Sequence, residues 1–275
     1  MFAFTKLTNH GSSHPIQARI AIFLYELIQK TDLTTIQKDS LSKLSYDLAQ
    51  DLIEAEKYGL NLLNDIKRIN HDWLEKNNDF LKNQPLTSYQ SLTSPKDILI
   101  FLKNAKSSLR KVGTIIGIIF EKDREAALDK KTTNKHPWYQ AYKKGNFQEI
   151  LNDLKKQLKA DLNHPLPKII QDYSNWLEFI SFFRDEDEHP KTFDDFIQNY
   201  KITRSNDFYT LAKPQFQDGT DVELFLEKSL RYLLLFSEEI CILSLLEKTD
   251  SLYQLLEIAE NDRDKACPKK FKFAI

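Results

Sequence analysis

The sequence predicts an all-α fold, an antiparallel helical bundle, and three observations carry that expectation. The chain has only 6 glycines and 9 prolines in 275 residues, too few turn-formers for a many-stranded sheet protein. Long segments repeat apolar residues at intervals of three and four, the period of one helix face. Helix-start signals stand where such segments begin. With 41% hydrophobic and 29% charged residues the chain can bury a sizeable core.

Ile16, Ile20, Phe23, Leu24 and Leu27 predict a first helix over about Pro15 to Lys30, an N-terminal extension spanning about residues 1–35. The longest helix is expected over about Lys38 to Asn77. Its seam, Leu41, Leu44, Leu48, Leu52, Ala55, Gly59, Leu62, Ile66, Ile69 and Trp73, carries no charge, as a bundle helix requires. Ser94-Pro95-Lys96-Asp97 is a helix start, with serine as cap and proline in the first turn. Ile98, Phe101, Ala105, Leu109, Val112, Ile116 and Ile119 then mark the core face. Gly113 and Gly117 lie one turn apart there and would let another backbone approach closely.

A polar connection is expected over about residues 123–146, then a helix from Phe147 to Asp161, ended by His164-Pro165. The next helix, Pro167 to Glu188, buries Ile169, Tyr173, Trp176, Leu177, Ile180 and Phe183. Tyr200–Thr203 and Phe208–Leu211 flank Arg204-Ser205-Asn206-Asp207 as a short β-hairpin. Thr220-Asp221-Val222-Glu223 reads as a capping box opening an apolar helix to Leu246. A last helix near Ser251–Ala259 is expected to precede a frayed basic tail, Lys265–Lys272. The whole, residues 1–275, reads as one domain.

A formal net charge of −1 gives no global attraction to nucleic acid or membrane, so any such attraction must be local. Cys241 and Cys267 share no metal or redox spacing, which fits a reducing cytoplasm. Residues 1–6 lack a signal peptide's apolar core, and the greasiest run, Tyr232–Leu246, is broken by Glu238 and Glu239.

One run breaks local rules. In Arg184-Asp185-Glu186-Asp187-Glu188-His189-Pro190, Arg184 continues the apolar stripe 173, 176/177, 180, where a cation needs a partner or a polar cleft. Four consecutive acids follow at a helix C-terminus, the unfavourable end for negative charge. Pro190 disfavours helical geometry at His189, freeing its imidazole to turn toward Arg184, while Asp185 lies one turn away to hold a ring nitrogen. The plain alternative is an Arg184–Glu188 ion pair on a solvated helix end.

An arginine, a polar residue, three more residues and a histidine, closing an apolar helix of a bundle, resembles the HEPN superfamily. The resemblance covers the motif and its helix, and the bundle helices as an order of elements. It does not reach the N-terminal helix or the Asp123–Gly145 region. It implies a metal-independent endoribonuclease of toxin–antitoxin or antiviral systems. Arg184 and His189 would be the catalytic pair, with Asp185 the polar residue after the arginine. Two motifs would meet across a homodimer, with RNA as substrate and an antitoxin or regulatory protein as a further partner. No metal or cofactor is implied. The departure is Glu186-Asp187-Glu188, whose carboxylates must face away from a phosphodiester or be neutralised.

Lys122–Lys159 holds ten Lys/Arg against five Asp/Glu, with Trp138, Tyr139, Tyr142 and Phe147 interleaved. Lys143 and Lys144 for phosphates, and Trp138 and Tyr142 for base stacking, form a candidate RNA-binding set. The plain alternative is a solvated surface with its aromatics folded inward. His71-Asp72 is the dipeptide of metal-dependent phosphohydrolases but lacks supporting ligands, and residues 185–189 point in too many directions to hold one ion. Three other His-Pro pairs, at His14, His136 and His164, read as helix boundaries. A non-catalytic HEPN-like interaction module binding a protein or RNA is the alternative to the ribonuclease.

Overall fold

The computed structural model describes residues 11–76, 87–90, 95–120, 137–157, 164–185, 197–198, 200–205, 208–249 and 254–274. Helix dominates, as the apolar periodicity requires, with small antiparallel sheets beside it. Contacts divide the chain into two compact units. Unit 1 is built from residues 1–53, 105–179 and 234–275, and unit 2 from residues 54–104 and 180–233.

A π-helical turn, Gln17–Ile22, leads into α1, Phe23–Gln29. The expected segment is helical, but its first part is wound wider than a 3.6 period allows for. α2 is Thr35–Lys76 and α3 is Pro95–Ile119. The seam of α2 is buried at Leu41, Leu48, Leu52, Ala55, Leu62, Ile66 and Ile69, and every predicted core position of α3 is buried. Each such leucine or isoleucine withdrawn from water contributes about 1.5–3 kcal/mol before the entropy of ordering is subtracted.

Side-chain bonds give the helix directions. In unit 1 Gln37 Nε2, early in α2, donates to the carbonyl of Ile118, late in α3, at 3.1 Å. Lys111 of α3 pairs with Asp51 of α2 further along, so the two helices run antiparallel. α1 opposes α2 as well, through Gln50–Gln17 at 3.3 Å and Lys38 on the Gln29 carbonyl at 3.4 Å.

α4 is Pro137–Lys144 and α5 is Phe147–Gln157, joined by Gly145 at φ 68°. The expected close approach at Gly113 and Gly117 occurs here. A Cβ on Gly113 would lie 2.5 Å from the Tyr142 carbonyl oxygen, and one on Gly117 would lie 3.2 Å from the Tyr142 Cβ.

The expected helix from Pro167 is two, α6, Pro165–Asp172, and α7, Ser174–Asp185, meeting at Tyr173. The interruption lets Tyr173 and Trp176 both pack on Phe236, at 5.3 and 6.3 Å between ring centroids. His164 marks the boundary as expected, its Nδ1 accepting from the Leu166 N–H at 3.3 Å.

The hairpin exists as β3, Tyr200–Ser205, and β4, Phe208–Ala212, with Ser205 opposite Phe208. A strand the sequence did not announce, β1, Thr87–Gln90, pairs with β3 antiparallel. β2, Ile197–Gln198, pairs with β5, Gln215–Phe216. α8, Val222–Leu246, follows. Its cap is Asp221, whose Oδ1 accepts from the Leu224 N–H at 3.1 Å, rather than Thr220. In unit 2 α8 opposes α2 through Lys67–Glu227 at 2.7 Å and Asn70–Glu223 at 3.2 Å.

The last expected helix is overturned. Residues 254–257 form β6, Gln254–Glu257, which pairs with β7, Phe271–Ala274. The basic tail is not frayed either. Lys269 binds Glu26 at 2.9 Å, and the Phe271 and Phe273 rings lie 6.0 and 5.6 Å from Phe23. Nonlocal strand pairing and aromatic packing outweigh the helix propensity of Leu255-Leu256.

Candidate functional site

α7 carries its apolar stripe up to the motif. Trp176, Leu177 and Ile180 are buried along one face, and position 184 falls one turn after Ile180 on that register. Arg184 and Asp185 are the last described residues of α7. Their side chains, and His189 with the rest of the run 186–196, lie outside the described residues.

The basic–aromatic set is partly placed. Lys143 and Lys144 are exposed in the last turn of α4, where cations complement the helix dipole. Tyr142 corrects the expectation for a stacking residue. It is buried against Gly117, and its hydroxyl donates to Asp153 Oδ2 at 2.8 Å, so its ring offers no open face to a base. The glycines one turn apart on α3 were the signal for this packing role. The Trp138 side chain lies outside the described residues, although its backbone belongs to α4. The same holds for His71 and Asp72, whose backbone belongs to α2.

Two polar arrangements were not anticipated. In unit 2 the buried Tyr200 hydroxyl reaches the Ile66 carbonyl oxygen at 3.3 Å and Asn70 Oδ1 at 3.2 Å. Asn70 Nδ2 donates to Glu223 Oε2 at 3.2 Å, and Lys213 Nζ to the same oxygen at 3.1 Å. Burial, with Glu223 and Asp221 nearby, pushes the Tyr200 phenol well above its ordinary range, so it stays a neutral hydrogen-bonding group.

In unit 1 the Arg19 guanidinium takes the fully buried Glu238 carboxylate with two nitrogens. Neighbouring Glu239 has its carboxyl pushed up by burial, against the opposing pull of Lys270. Such a pair interrupting an apolar run is how buried charge is tolerated.

Both cysteines are free, and burial raises both thiols, which disfavours the thiolate form. Among the described residues no three His, Cys, Asp or Glu side chains converge as a metal set. No described helix is long and apolar enough to cross a membrane. The chain matches no family model, no curated protein and no solved structure.

Proposed function

We propose that this chain is a metal-independent endoribonuclease of the HEPN type, serving a toxin–antitoxin or antiviral defence system. The observation that carries the reading is the position of Arg184-Asp185. They lie on a helix whose earlier turns bury Trp176, Leu177 and Ile180, among long helices that run antiparallel within each unit. That is the setting in which an Arg-polar-x3-His motif resembles the superfamily's.

The chemistry needs few groups. His189 takes the proton of a ribose 2′-OH, or gives one to the departing 5′-oxygen. Arg184 holds the phosphate oxygens bidentately and stabilises the charge that grows on them. The 2′-oxygen bonds to phosphorus as the bond to the 5′-oxygen breaks, leaving a 2′,3′-cyclic phosphate and a free 5′-hydroxyl.

The acidic run Glu186-Asp187-Glu188 gives a second reading its footing. Three carboxylates beside the motif repel a phosphodiester and suit a non-catalytic module that docks a protein partner. One experiment separates the two: RNA cleavage by wild type and His189→Ala with EDTA present. The enzyme reading expects cleavage that survives chelation and disappears in the variant. No cleavage by wild type favours the module, and cleavage restored only by added Mn²⁺ or Mg²⁺ makes the acidic run a metal site instead.

A further inference from the structure

We infer that the junction of α3 and α4 is a binding surface for the backbone of single-stranded RNA, with Arg110, Lys143 and Lys144 as its phosphate contacts. The inference rests on RNA being the substrate, as proposed above, but it concerns a separate set of residues, all in unit 1.

The placement comes from three glycines. Gly113 and Gly117 clear the surface of α3 so that the end of α4 settles on it, with the Tyr142 carbonyl filling the space a Gly113 side chain would take. Gly145, at φ 68°, closes the turn so tightly that a Cβ on it would lie 3.3 Å from the Arg110 Cα. The last turn of α4, bearing Lys143 and Lys144, is thereby held against the turn of α3 that bears Arg110.

Along these two helix segments the charge is one-sided, while Asp153 of α5 is bonded to Tyr142. From Lys103 to Phe120 there are four Lys/Arg and no acid, and α4 adds two lysines and no acid. Lys111 is taken by Asp51. Arg110, Lys143 and Lys144 have no ion-pair partner among the described residues. The dipole of α4 accounts for two lysines at its C-terminus. It does not account for Arg110, which sits in the middle of α3.

The cations fit a polyanion. Arginine binds phosphate oxygens bidentately, lysine serves as a point charge, and their spread over two helices matches a chain of phosphates. Because the Tyr142 ring is buried, it offers no stacking face, and the contacts inferred for this surface are to the backbone phosphates. Binding there is therefore tolerant of sequence and strongly dependent on salt.

The test uses a fluorescent 2′-O-methyl oligouridine, which cannot be cut by 2′-OH attack, and measures binding to the full chain by anisotropy over a salt series. Arg110→Gln/Lys143→Gln/Lys144→Gln is compared with Lys43→Gln/Lys168→Gln/Lys265→Gln, which removes the same charge from exposed positions elsewhere. The first variant is expected to bind about tenfold more weakly, with a salt slope lower by about 2, the value for three lost phosphate contacts on a single strand. The control is expected to match wild type. If the triple variant does not fold by circular dichroism, Lys143→Glu/Lys144→Glu, at two exposed positions, replaces it and is expected to lose binding more steeply.

Equal loss in variant and control, unchanged binding in the variant, or no binding by wild type overturns the proposal. Cleavage of unmodified RNA is followed in parallel. Binding lost in the variant while wild type never cleaves leaves this surface standing and removes the ribonuclease. Cleavage by wild type with unaltered binding in the variant does the reverse.

Discussion

Arg19 Nε donates to Glu238 Oε1 at 2.9 Å while Nη2 holds Oε2, joining the π-helical turn before α1 to the interior of α8. Glu238 is fully buried, so the carboxylate has no water to fall back on. Replacing Arg19 with alanine should lower the unfolding free energy by about 3–5 kcal/mol, because it strands a buried charge. Arg19→Met with Glu238→Leu should recover most of that loss. Urea denaturation of the singles and the double checks it, and equal destabilisation by all three would show that the pair does not behave as a unit.

Glu239 gives a pH dependence of defined sign. Burial raises its folded-state pKa, so the native protein holds that proton more tightly than the unfolded chain does. Raising pH through the window above the ordinary glutamate value therefore removes stability. Glu239→Gln lacks this loss. Its stability relative to wild type should rise across that window and then level off. A difference that is flat or falls with pH would contradict the burial argument.

The glycines of α3 should respond unequally to alanine. Gly113→Ala forces a methyl group to 2.5 Å from a carbonyl oxygen and should destabilise by about 1–3 kcal/mol. Gly117→Ala meets Tyr142 at 3.2 Å, a contact a small shift relieves, while alanine's helix propensity returns up to about 1 kcal/mol. Thermal melts should place Gly117→Ala near wild type and Gly113→Ala well below it.

Tyr142→Phe separates packing from recognition. It removes the hydrogen bond to Asp153 and should cost about 1 kcal/mol. If the chain binds RNA as proposed, the variant's affinity should equal that of wild type, since the hydroxyl is committed to Asp153. A binding defect in a well-folded Tyr142→Phe would show that the hydroxyl reaches the ligand, which its bond to Asp153 argues against.

If the ribonuclease reading holds, stoichiometry predicts a dimer. One motif supplies one histidine, yet 2′-OH attack needs a proton acceptor and a proton donor. Two copies about a two-fold axis supply both. Mixing His189→Ala subunits into wild type should then depress cleavage below simple dilution. A sedimentation profile showing a monomer that cuts at full rate would rule this out.

The long helices were legible because their information is local. The α2 seam and the α3 stripe are repeats within one segment, and Gly113 and Gly117 announced a close approach before any partner was known. What was missed is nonlocal. β1 pairs with β3 across more than a hundred residues, and β6 waits for β7, so Leu255-Leu256 looked helical in isolation. The π-helical turn and the break at Tyr173 depend on contacts with α8 that no window of sequence contains. The sequence set Arg184 and Asp185 on the apolar helix and Lys143 and Lys144 on the surface, and α7 and α4 carry them there. It misjudged Tyr142, because an aromatic among lysines looks the same whether its ring faces solvent or a glycine.

Unit 1 is assembled from three separated stretches, the last running from residue 234 to 275. Ser12 donates to the Ala266 carbonyl at 2.9 Å, and the backbone N–H of Asp32 donates to the Lys248 carbonyl at 2.9 Å. Synthesis delivers these partners more than two hundred residues apart. On the ribosome, α1, the first half of α2 and α3 can meet early, but the surfaces that α8 and the β6–β7 pair cover stay open until those elements emerge. Such long-range closure is slow and leaves an aggregation-prone intermediate. A cell making this protein thus faces an interval in which a chaperone, or rapid translation of the stretch between, decides how much of it reaches the native state.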